Sequence, residues 1–361
     1  MSEKLRIISR SSAQERSQFD TLFAELPDHI STHSQTSRSS SSAGFWMQLL
    51  KYGDNRNCEF WIAMAHDSNK VLGRVGADIP NGRLAECSIG FFDCLDNHDG
   101  QAAGSELIKT AVRWLSDRNA QSIVAPLDFN SWFNYRFKVR EPSATGSVDK
   151  SWEPSAPDFH LSLFKNEGFD DFIHFASLSY EIVKPEHWAA YIGKIRPEYQ
   201  SVVEQGYSFK PFAGGDGFKS DLQEIFSLAN IAFAENPMFE PIPFEIFASL
   251  TIALSRKSNM EASRICRTSG GSVAGFAFCF TEKDELIYKT VAVHPDHRSK
   301  GLANALTFEI SKYCQDKDIR KTTGALIRSG NRSERIGQSH GQFAKPSAIN
   351  NYVLLRKALK S

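Results

Sequence analysis

Apolar residues recur along the chain in a repeated order of strands and helices. Three short apolar runs, Phe60–Ala65, Val71–Ala77 and Glu86–Phe92, are separated by polar turns and predict a meander of strands. The next segment, Gln101–Asn119, has apolar residues at positions i, i+1, i+4, i+5 and i+8, which predicts an amphipathic helix. The run Ser122–Leu127 predicts a further strand, so the first half has the order β-β-β-α-β.

The same order recurs after residue 206. Strands and helices are predicted at Tyr207–Phe212, Lys219–Ala234 (helix), Phe244–Ser255 (helix), Glu261–Thr268, Ser272–Phe280, Glu285–Val293, Gly301–Lys317 (helix) and Lys321–Arg328. We interpret this as an internal duplication of a mixed α/β unit. Each copy is expected to hold a central, mostly antiparallel mixed sheet flanked by helices.

Loop-like segments and one helical segment set the expected domain limits. Residues 31–43 include seven serines, and residues 141–158 include three prolines, so both are expected to be loops. The segment 185–206 is expected to be a linker helix. The first domain is therefore predicted at 1–184 and the second at 207–361.

Charge and hydropathy exclude several classes of protein. Lys+Arg and Asp+Glu both number 42, so the chain has no net positive charge that would favour a nucleic-acid partner. The longest apolar stretch, Val273–Phe280, has eight residues, far fewer than the ~20 of a membrane-spanning helix. A charged start to the chain predicts no export signal, hence a cytoplasmic protein. The six cysteines form no C-x-x-C pair and are expected to be reduced, and the ten histidines have no metal-site spacing.

One segment, from Val291 to Ala303, carries the clearest chemical signal. It reads VAVHPDHRSKGLA: an apolar strand, a proline turn and a basic loop that opens a helix. Backbone N–H groups at a helix start lack partners within the helix and bind anions, so Ser299–Asn304 are candidates to hold a phosphate. Gly301 would allow close approach to the backbone, and Arg298 and Lys300 add positive charge. A basic loop at a helix start is, by itself, also typical of an ordinary surface turn.

These residues resemble a known family. Arg298-x-x-Gly301-x-Ala303, following Val291-Ala-Val293-His-Pro295, resembles motif A of the GNAT superfamily of acyl-CoA-dependent N-acyltransferases. The resemblance covers about residues 207–359 and implies acetyl-CoA or another acyl-CoA as co-substrate, with no metal. It implies the following cofactor contacts: Val291 and Val293 with the pantetheine arm, Arg298, Ser299, Lys300, Gly301, Leu302, Ala303 and Asn304 with the pyrophosphate, and Asn331 facing the cofactor.

The first half resembles the same family more faintly. It keeps Gln101-x-x-Gly104 but has Glu106 where glycine or alanine is expected, and its loop contains three aspartates and no arginine. These carboxylates would repel a pyrophosphate. We therefore expect a degenerate copy that serves as scaffold or as a wall of the acceptor site.

Catalytic and acceptor-binding residues are harder to assign. The segment 331–343 lacks the tyrosine that the family commonly uses as an acid, so His340 and Asn331 are the catalytic candidates. Asp284 and Glu285 are candidate bases, with a solvent-facing hairpin tip as the alternative. The apolar loop after Ala234 offers Met238, Phe239 and Phe244 as acceptor-binding residues, with domain packing as an equal alternative.

The sequence therefore predicts an N-acyltransferase, most simply an N-acetyltransferase. It would move an acyl group from acyl-CoA to an amine of a small molecule, amino acid or peptide by direct attack in a ternary complex. Tandem copies also occur in aminoacyl-tRNA-dependent peptidyl transferases, but these would need a basic surface. The remaining alternative is a non-catalytic acyl-CoA sensor or partner-binding protein, suggested by the missing tyrosine.

Overall fold

The chain folds as two compact units in a computed structural model. The structure describes residues 5–31, 42–68, 70–140, 149–182, 186–213, 217–255, 259–331 and 344–359. The first unit holds the described residues up to 174 together with 351–359, and the second holds those from 175 to 350. The element order confirms the predicted mixed α/β class.

The first unit is a mixed sheet packed against helix α3. Its elements are β1 (Leu5–Ser9), α1 (Arg16–Ser31), α2 (Ala43–Gly53), β2 (Asn57–Ala65), β3 (Val71–Ile79), β4 (Cys87–Cys94), α3 (His98–Ser116), β5 (Ser122–Ala125), β6 (Phe137–Val139), α4 (Asp158–Asn166) and the start of β7 (Asp170–Glu181). The sheet order β1-β2-β3-β4-β5 is antiparallel except for the parallel pair β4–β5. Helix α3 buries Leu107, Ile108, Ala111 and Leu115 completely against this sheet.

The second unit repeats that plan. Its elements are the rest of β7, α5 (Glu186–Glu204), β8 (Ser208–Pro211), α6 (Gly217–Ala232), α7 (Phe244–Ser255), β9 (Arg264–Arg267), β10 (Val273–Glu282), β11 (Glu285–Val293), α8 (Leu302–Asp316), β12 (Lys321–Arg328) and the start of β13 (Lys345–Ala358). The sheet order is β7-β12-β11-β10-β9-β8, and β11–β12 is the parallel pair. Helix α8 buries its apolar face and also packs against α5, where the rings of Tyr199 and Phe308 stack at 4.1 Å.

The greater part of the final strand, β13, belongs to the first unit. Residues 351–358 of β13 pair with β5 and β6, and Leu355 lies opposite Ala125. Residues 175–181 of β7 pair with β12 in the second unit. The limits predicted from the sequence follow chain order (1–184, then 207–361), whereas the compact units exchange these two strands. Strand pairing depends on which sheet edge is free, and chain order does not reveal this.

Most predicted elements are confirmed within a few residues, including the helices at 101–119 and 301–317 and the helical segment at 185–206. The sequence analysis did not predict β1, α1, α2, β6, α4 or β7. Of the two predicted loops, residues 32–41 and 141–148 lie outside the described residues. None of the described helices has the length and apolar character needed to cross a lipid bilayer.

Candidate functional site

Strands β11 and β12 pair along only half of their length. Their parallel register runs from Glu285 opposite Lys321 to Tyr288 opposite Gly324, and within the described residues it ends there. Each strand has a bulge directly beyond this point. On β11, Phe278 of β10 faces Thr290 and Cys279 faces Tyr288, which leaves Lys289 as the extra residue. We call the region beyond Tyr288 and Gly324 the β11–β12 split.

The bulge on β12 is held by a side chain of β7. Two residues of β12, Ala325 and Leu326, face the single residue Ser177. Leu326 has a positive φ of 52°, and its backbone N–H donates to Ser177 Oγ at 3.1 Å. Because Ser177 is buried, this bond fixes the point at which β12 turns away from a regular ladder.

Burial decreases at the split. Leu286 and Ile287 are fully buried on β11, whereas Thr290, Val291 and Val293 are only half-buried. On β12 the residues from Gly324 to Arg328 are half-buried in the same way. The described strands therefore leave backbone and side chains accessible where they diverge, and Val291 and Val293, two predicted cofactor residues, lie there.

The loop from His294 to Gly301, called here the α8 loop, leads from this split to an uncapped helix. Pro295–His297 form one 3-10 turn, and Gly301 is the N-cap residue of α8 with a φ of +84°. No side chain of the N-cap residue bonds the first turn, and the first helical bond from this residue is Ala305 N–H to Gly301 O, at 3.0 Å. The N–H groups of the first turn thus lie at a positive helix terminus, which is suited to an anion.

Two features require glycine at position 301: its positive φ and the close approach of helix α5. A Cβ atom at this position would lie 2.9 Å from both Cγ and Oε1 of Glu198 on α5. The Oε2 atom of Glu198 accepts a hydrogen bond of 2.6 Å from Asn304 Nδ2 in the first turn of α8. The sequence analysis assigned Gly301 to the approach of a phosphate; the structure adds a positive φ and close packing on α5.

The basic residues of the α8 loop have protein partners. Arg298 donates from Nη2 to Ala232 O at the end of α6, at 3.2 Å, and its Nη1 lies 3.6 Å from Glu235 Oε2. Lys300 Nζ lies 3.4 Å from Tyr207 Oη, which in turn bonds His297 Nδ1 at 2.9 Å. The sequence analysis missed Tyr207, because no local pattern links it to a loop ninety residues away.

His297 lies among groups that disfavour its charged form. Partial burial lowers the pKa of His297 below 6.5, and the positive charge of Lys300 and the neighbouring His294 lower it further, while Asp296 opposes them. An anion bound at the α8 loop would reverse this effect by favouring the protonated ring.

The first unit has a split of the same kind, but its own chain fills it. Strands β4 and β5 pair in parallel only at Cys87–Ser88, and β4 then bulges at Phe91, whose φ is +53°. The chain beyond β5 stays against β4: Leu127 N–H donates to Ile89 O at 2.9 Å, and the Asp128 carboxylate accepts the N–H of Phe91. A Cβ at Gly90 would overlap the carbonyl of Leu127. Every residue from 123 to 130 is buried.

Asp128 is an unusual partner for the bulge, since it is fully enclosed. Burial raises its pKa to about 7, while the bond from Phe91 N–H and the positive charge of Arg74 act in the opposite direction. A bulge N–H in this protein therefore binds a carboxylate oxygen.

The start of helix α3 is also closed by protein groups. Asn97 is its N-cap residue, and its side chain accepts the N–H of Gly100 at 2.7 Å. Gln101 Nε2 donates to Asp96 Oδ1 at 3.3 Å. In the first unit the split is thus filled and the helix start is capped by a side chain of the N-cap residue, whereas the described residues of the second unit show an unfilled split and no such cap.

The other candidate residues are spread over the second unit. Asn331 follows β12 and donates its N–H to Arg328 O at 3.1 Å. Met238 and Phe239 are half-buried in the turn between α6 and α7, and Phe244 packs edge-on against Phe226 of α6, with ring centroids 5.6 Å apart. His340 lies outside the described residues.

The two candidate bases lie at the hairpin end of β11. Asp284 forms an ion pair of 2.9 Å with Lys321, which lowers the pKa of its carboxyl. Glu285 accepts a hydrogen bond from Thr323 Oγ1. Both lie at the start of β11, at the opposite end from the α8 loop, in agreement with the hairpin-tip alternative.

Burial makes several cysteines weak nucleophiles. It raises the pKa of Cys87 to about 11 and that of Cys58 and Cys266 to about 12, and it also raises the pKa of Cys279 and Cys314. These thiols stay protonated at neutral pH.

Comparison with known proteins gives the class of this fold. Residues 223–334 match the model of the acetyltransferase (GNAT) family. A tandem GNAT protein from the clavulanic acid biosynthesis pathway superposes with a TM-score of 0.56 at 12% identity, covering 99% of both chains. A probable N-acyltransferase from Enterococcus faecalis V583 gives a TM-score of 0.59 at 10% identity, covering 98% of this chain and 73% of the other. A GCN5-related N-acetyltransferase from Kribbella flavida gives 0.52 at 12% identity, covering 99% and 72%. No curated protein matches the chain in sequence.

The segment 223–334, which includes the β11–β12 split and the α8 loop, matches the model of the acetyltransferase (GNAT) family. The chain as a whole has a fold similar to that of a tandem GNAT protein.

Proposed function

We propose that the second unit binds an acyl-CoA and transfers its acyl group to an amine. The observation that carries this proposal is the contrast between the units. Among the described residues, the strand split is accessible in the second unit, whereas Asp128 fills it in the first. The N-cap residue of α8 makes no side-chain cap bond, whereas Asn97 caps α3. We propose no cofactor site in the first unit.

The residues at the site suit the parts of coenzyme A. An extended pantetheine arm can add to the sheet at the split, beside Val291 and Val293. The N–H groups of Leu302, Ala303 and Asn304 can accept the diphosphate, with Lys300 adding charge. Asn331, just beyond β12, remains a candidate contact with the cofactor.

The reaction needs a hydrogen-bond donor to the thioester carbonyl oxygen, which becomes negative when the amine attacks. In the first unit, the bulge N–H of Phe91 binds a carboxylate oxygen, and β11 has a bulge at Lys289 beside the split. We assign the bulge of β11 this role. Because the buried thiols stay protonated, the amine attacks the thioester directly in a ternary complex rather than through a cysteine intermediate.

The amine must lose a proton before it attacks, and the thiolate must gain one. His340 and Asn331 are the side chains we propose near these transfers. For the acceptor we propose an amine of a small molecule, amino acid or peptide, bound beside Met238, Phe239 and Phe244 between α6 and α7. Acetyl-CoA is the simplest donor.

Two charge reversals, one in the α8 loop and one on helix α8, test the cofactor site. Lys300→Glu places a carboxylate in the loop, whereas Lys312→Glu makes the same change at an exposed position of the helix, beyond its first turn. Loss of one charged contact costs ~1.5 kcal/mol or more, so calorimetric titration should show CoA binding about tenfold weaker in Lys300→Glu. Lys312→Glu should bind like the wild type.

Two results would contradict the proposal. Equal CoA affinity in both variants would remove the α8 loop from the site, and no binding of CoA or acetyl-CoA by the wild type would remove the cofactor. Acyl-CoA binding without turnover across a broad amine panel would favour the sensor alternative.

A further inference from the structure

Helix α5 places a carboxylate on the helix start that we assign to the diphosphate. Glu198 Oε2 accepts the Asn304 Nδ2 hydrogen bond at 2.6 Å, and Oε1 lies 2.9 Å from the point where a Cβ of Gly301 would be. Gly301 is the N-cap residue of α8 and Asn304 lies in its first turn. Glu198 therefore touches both the cap and the first turn of the helix from outside it.

This position is electrostatically favourable for the protein without ligand. A negative charge near a helix N-terminus stabilises the helix, and Gly301 has no side chain to provide one. Helices α5 and α8 pack along their length, with Tyr199 Oη donating to Glu309 Oε1 at 2.6 Å one residue after Glu198. The packing of α5 on α8 thus keeps Glu198 beside the helix start, where its carboxylate accepts the Asn304 bond.

The same position is unfavourable for a second anion. A diphosphate bound to the first-turn N–H groups would lie near Glu198, and like charges a few ångströms apart repel one another. Because Glu198 is exposed, this repulsion is strongest at low salt. The nearby cations act against this only in part, since Arg298 is bonded to Ala232 O and Lys300 lies beside Tyr207.

We propose that Glu198 sets the affinity of the cofactor site, as a resident carboxylate that competes with the phosphates of CoA for the start of α8. This inference rests on the proposed function. Helix α5 then contributes directly to the site: Glu198 stabilises the start of α8 when no ligand is bound and lowers the affinity for CoA. Release of the product CoA is faster as a result.

The test compares Glu198→Gln with Glu204→Gln. Glutamine keeps the shape of the side chain and an oxygen that can accept the Asn304 bond, but removes the charge. Glu204 is an exposed residue at the end of the same helix and provides the matched control. Calorimetry should show CoA binding about five- to tenfold tighter in Glu198→Gln at low salt, with the gain shrinking as salt is added. Stopped-flow release of CoA should slow by a similar factor, and Glu204→Gln should match the wild type.

Pantetheine separates charge competition from a structural effect. It lacks phosphates, so Glu198→Gln should leave its affinity unchanged. Unchanged or weaker CoA binding by Glu198→Gln, in a protein whose wild type binds CoA, overturns the inference while the proposed function stands. If neither the wild type nor the variant binds CoA, both fail.

Discussion

Asp128 illustrates how one carboxylate closes a split between two strands. Its side chain takes the N–H of Phe91 at the bulge of β4, in a site where burial raises the pKa of the carboxyl to about 7. In the second unit another acidic residue, Glu198, lies at the start of α8 and accepts a hydrogen bond from the Asn304 side chain.

Asp128→Ala is expected to destabilise the first unit. It leaves the buried N–H of Phe91 without its acceptor, which costs about 1–3 kcal/mol. Asp128→Asn retains an acceptor oxygen and should cost less. The folded-state pKa of about 7 lies above the unfolded value of 3.8, so the folded protein binds the extra proton between them and wild-type stability should fall as pH rises from about 3.8 to about 7. Thermal unfolding at several pH values tests this, and an unchanged slope in Asp128→Asn would contradict it.

His297 should make CoA binding depend on pH. In the protein without ligand, burial and the charges of Lys300 and His294 lower the pKa of His297 below 6.5, and the charge of Asp296 opposes them. The Tyr207 hydroxyl contacts the same ring. A bound phosphate favours the protonated ring, so the complex takes up a proton and affinity should rise as pH falls below about 6.5.

Titration of CoA into His297→Gln provides the comparison for this prediction. The variant should lose the rise in affinity at low pH, whereas His98→Gln, an exposed change in the first unit, should keep it. A pH profile shared by all three proteins would exclude His297 from the site.

At the scale of elements, paired bulges produce the open site. The bulge at Lys289 on β11 and the bulge at Ala325–Leu326 on β12 both lie just beyond the last strand pair, Tyr288–Gly324. An extra residue in a strand disrupts the ladder and bends it. Both strands therefore leave the regular ladder just beyond the Tyr288–Gly324 pair, and their backbone is accessible there.

Alanine substitutions of two serines on β7 test whether the bulge of β12 contributes to CoA binding. Ser177 Oγ accepts a hydrogen bond from the Leu326 N–H at the bulge. Ser179 Oγ instead forms a 2.6 Å hydrogen bond with Thr323 Oγ1, in the regular part of the strand that precedes the bulge. Both hydroxyls are buried, so alanine at either position should cost about 1 kcal/mol of stability. Only Ser177→Ala should also weaken CoA binding, measured by calorimetry. A similar loss of affinity in both variants would make the effect one of general stability.

At the scale of the whole molecule, the two units exchange strands. Residues 351–358 complete the sheet of the first unit beside β5, and Val353 and Leu355 are fully buried there. The end of the chain is thus part of the core of the unit in which the chain begins. Folding of the first unit therefore needs residues from both ends of the sequence.

Leu355→Ala should weaken the first unit although it changes the C-terminal strand. Truncating a fully buried leucine costs about 2–5 kcal/mol. Five of the six tryptophans, Trp46, Trp61, Trp114, Trp132 and Trp152, belong to the first unit, so tryptophan fluorescence during urea unfolding reports chiefly on it. A lower midpoint is expected. The exposed change Lys312→Glu in the second unit should leave the midpoint unchanged, and an unaltered midpoint in Leu355→Ala would contradict the strand assignment.

The sequence by itself determined the features that depend on neighbouring residues. Alternation and helical spacing predicted the repeated strand and helix order, and the segment Val291–Ala303 predicted a basic loop opening a helix, because each of these patterns is complete within about twenty residues. The missing arginine of the first half also predicted a copy unsuited to a pyrophosphate.

Only the tertiary structure decided which groups meet. Asp128 lies 37 residues from Phe91 and Glu198 lies 106 residues from Asn304, so no local pattern pairs them. The exchange of β7 and β13 has the same origin, since a free sheet edge accepts a suitable strand from any part of the chain. Packing and long-range hydrogen bonds therefore determine that one split is filled by Asp128 and the other left accessible.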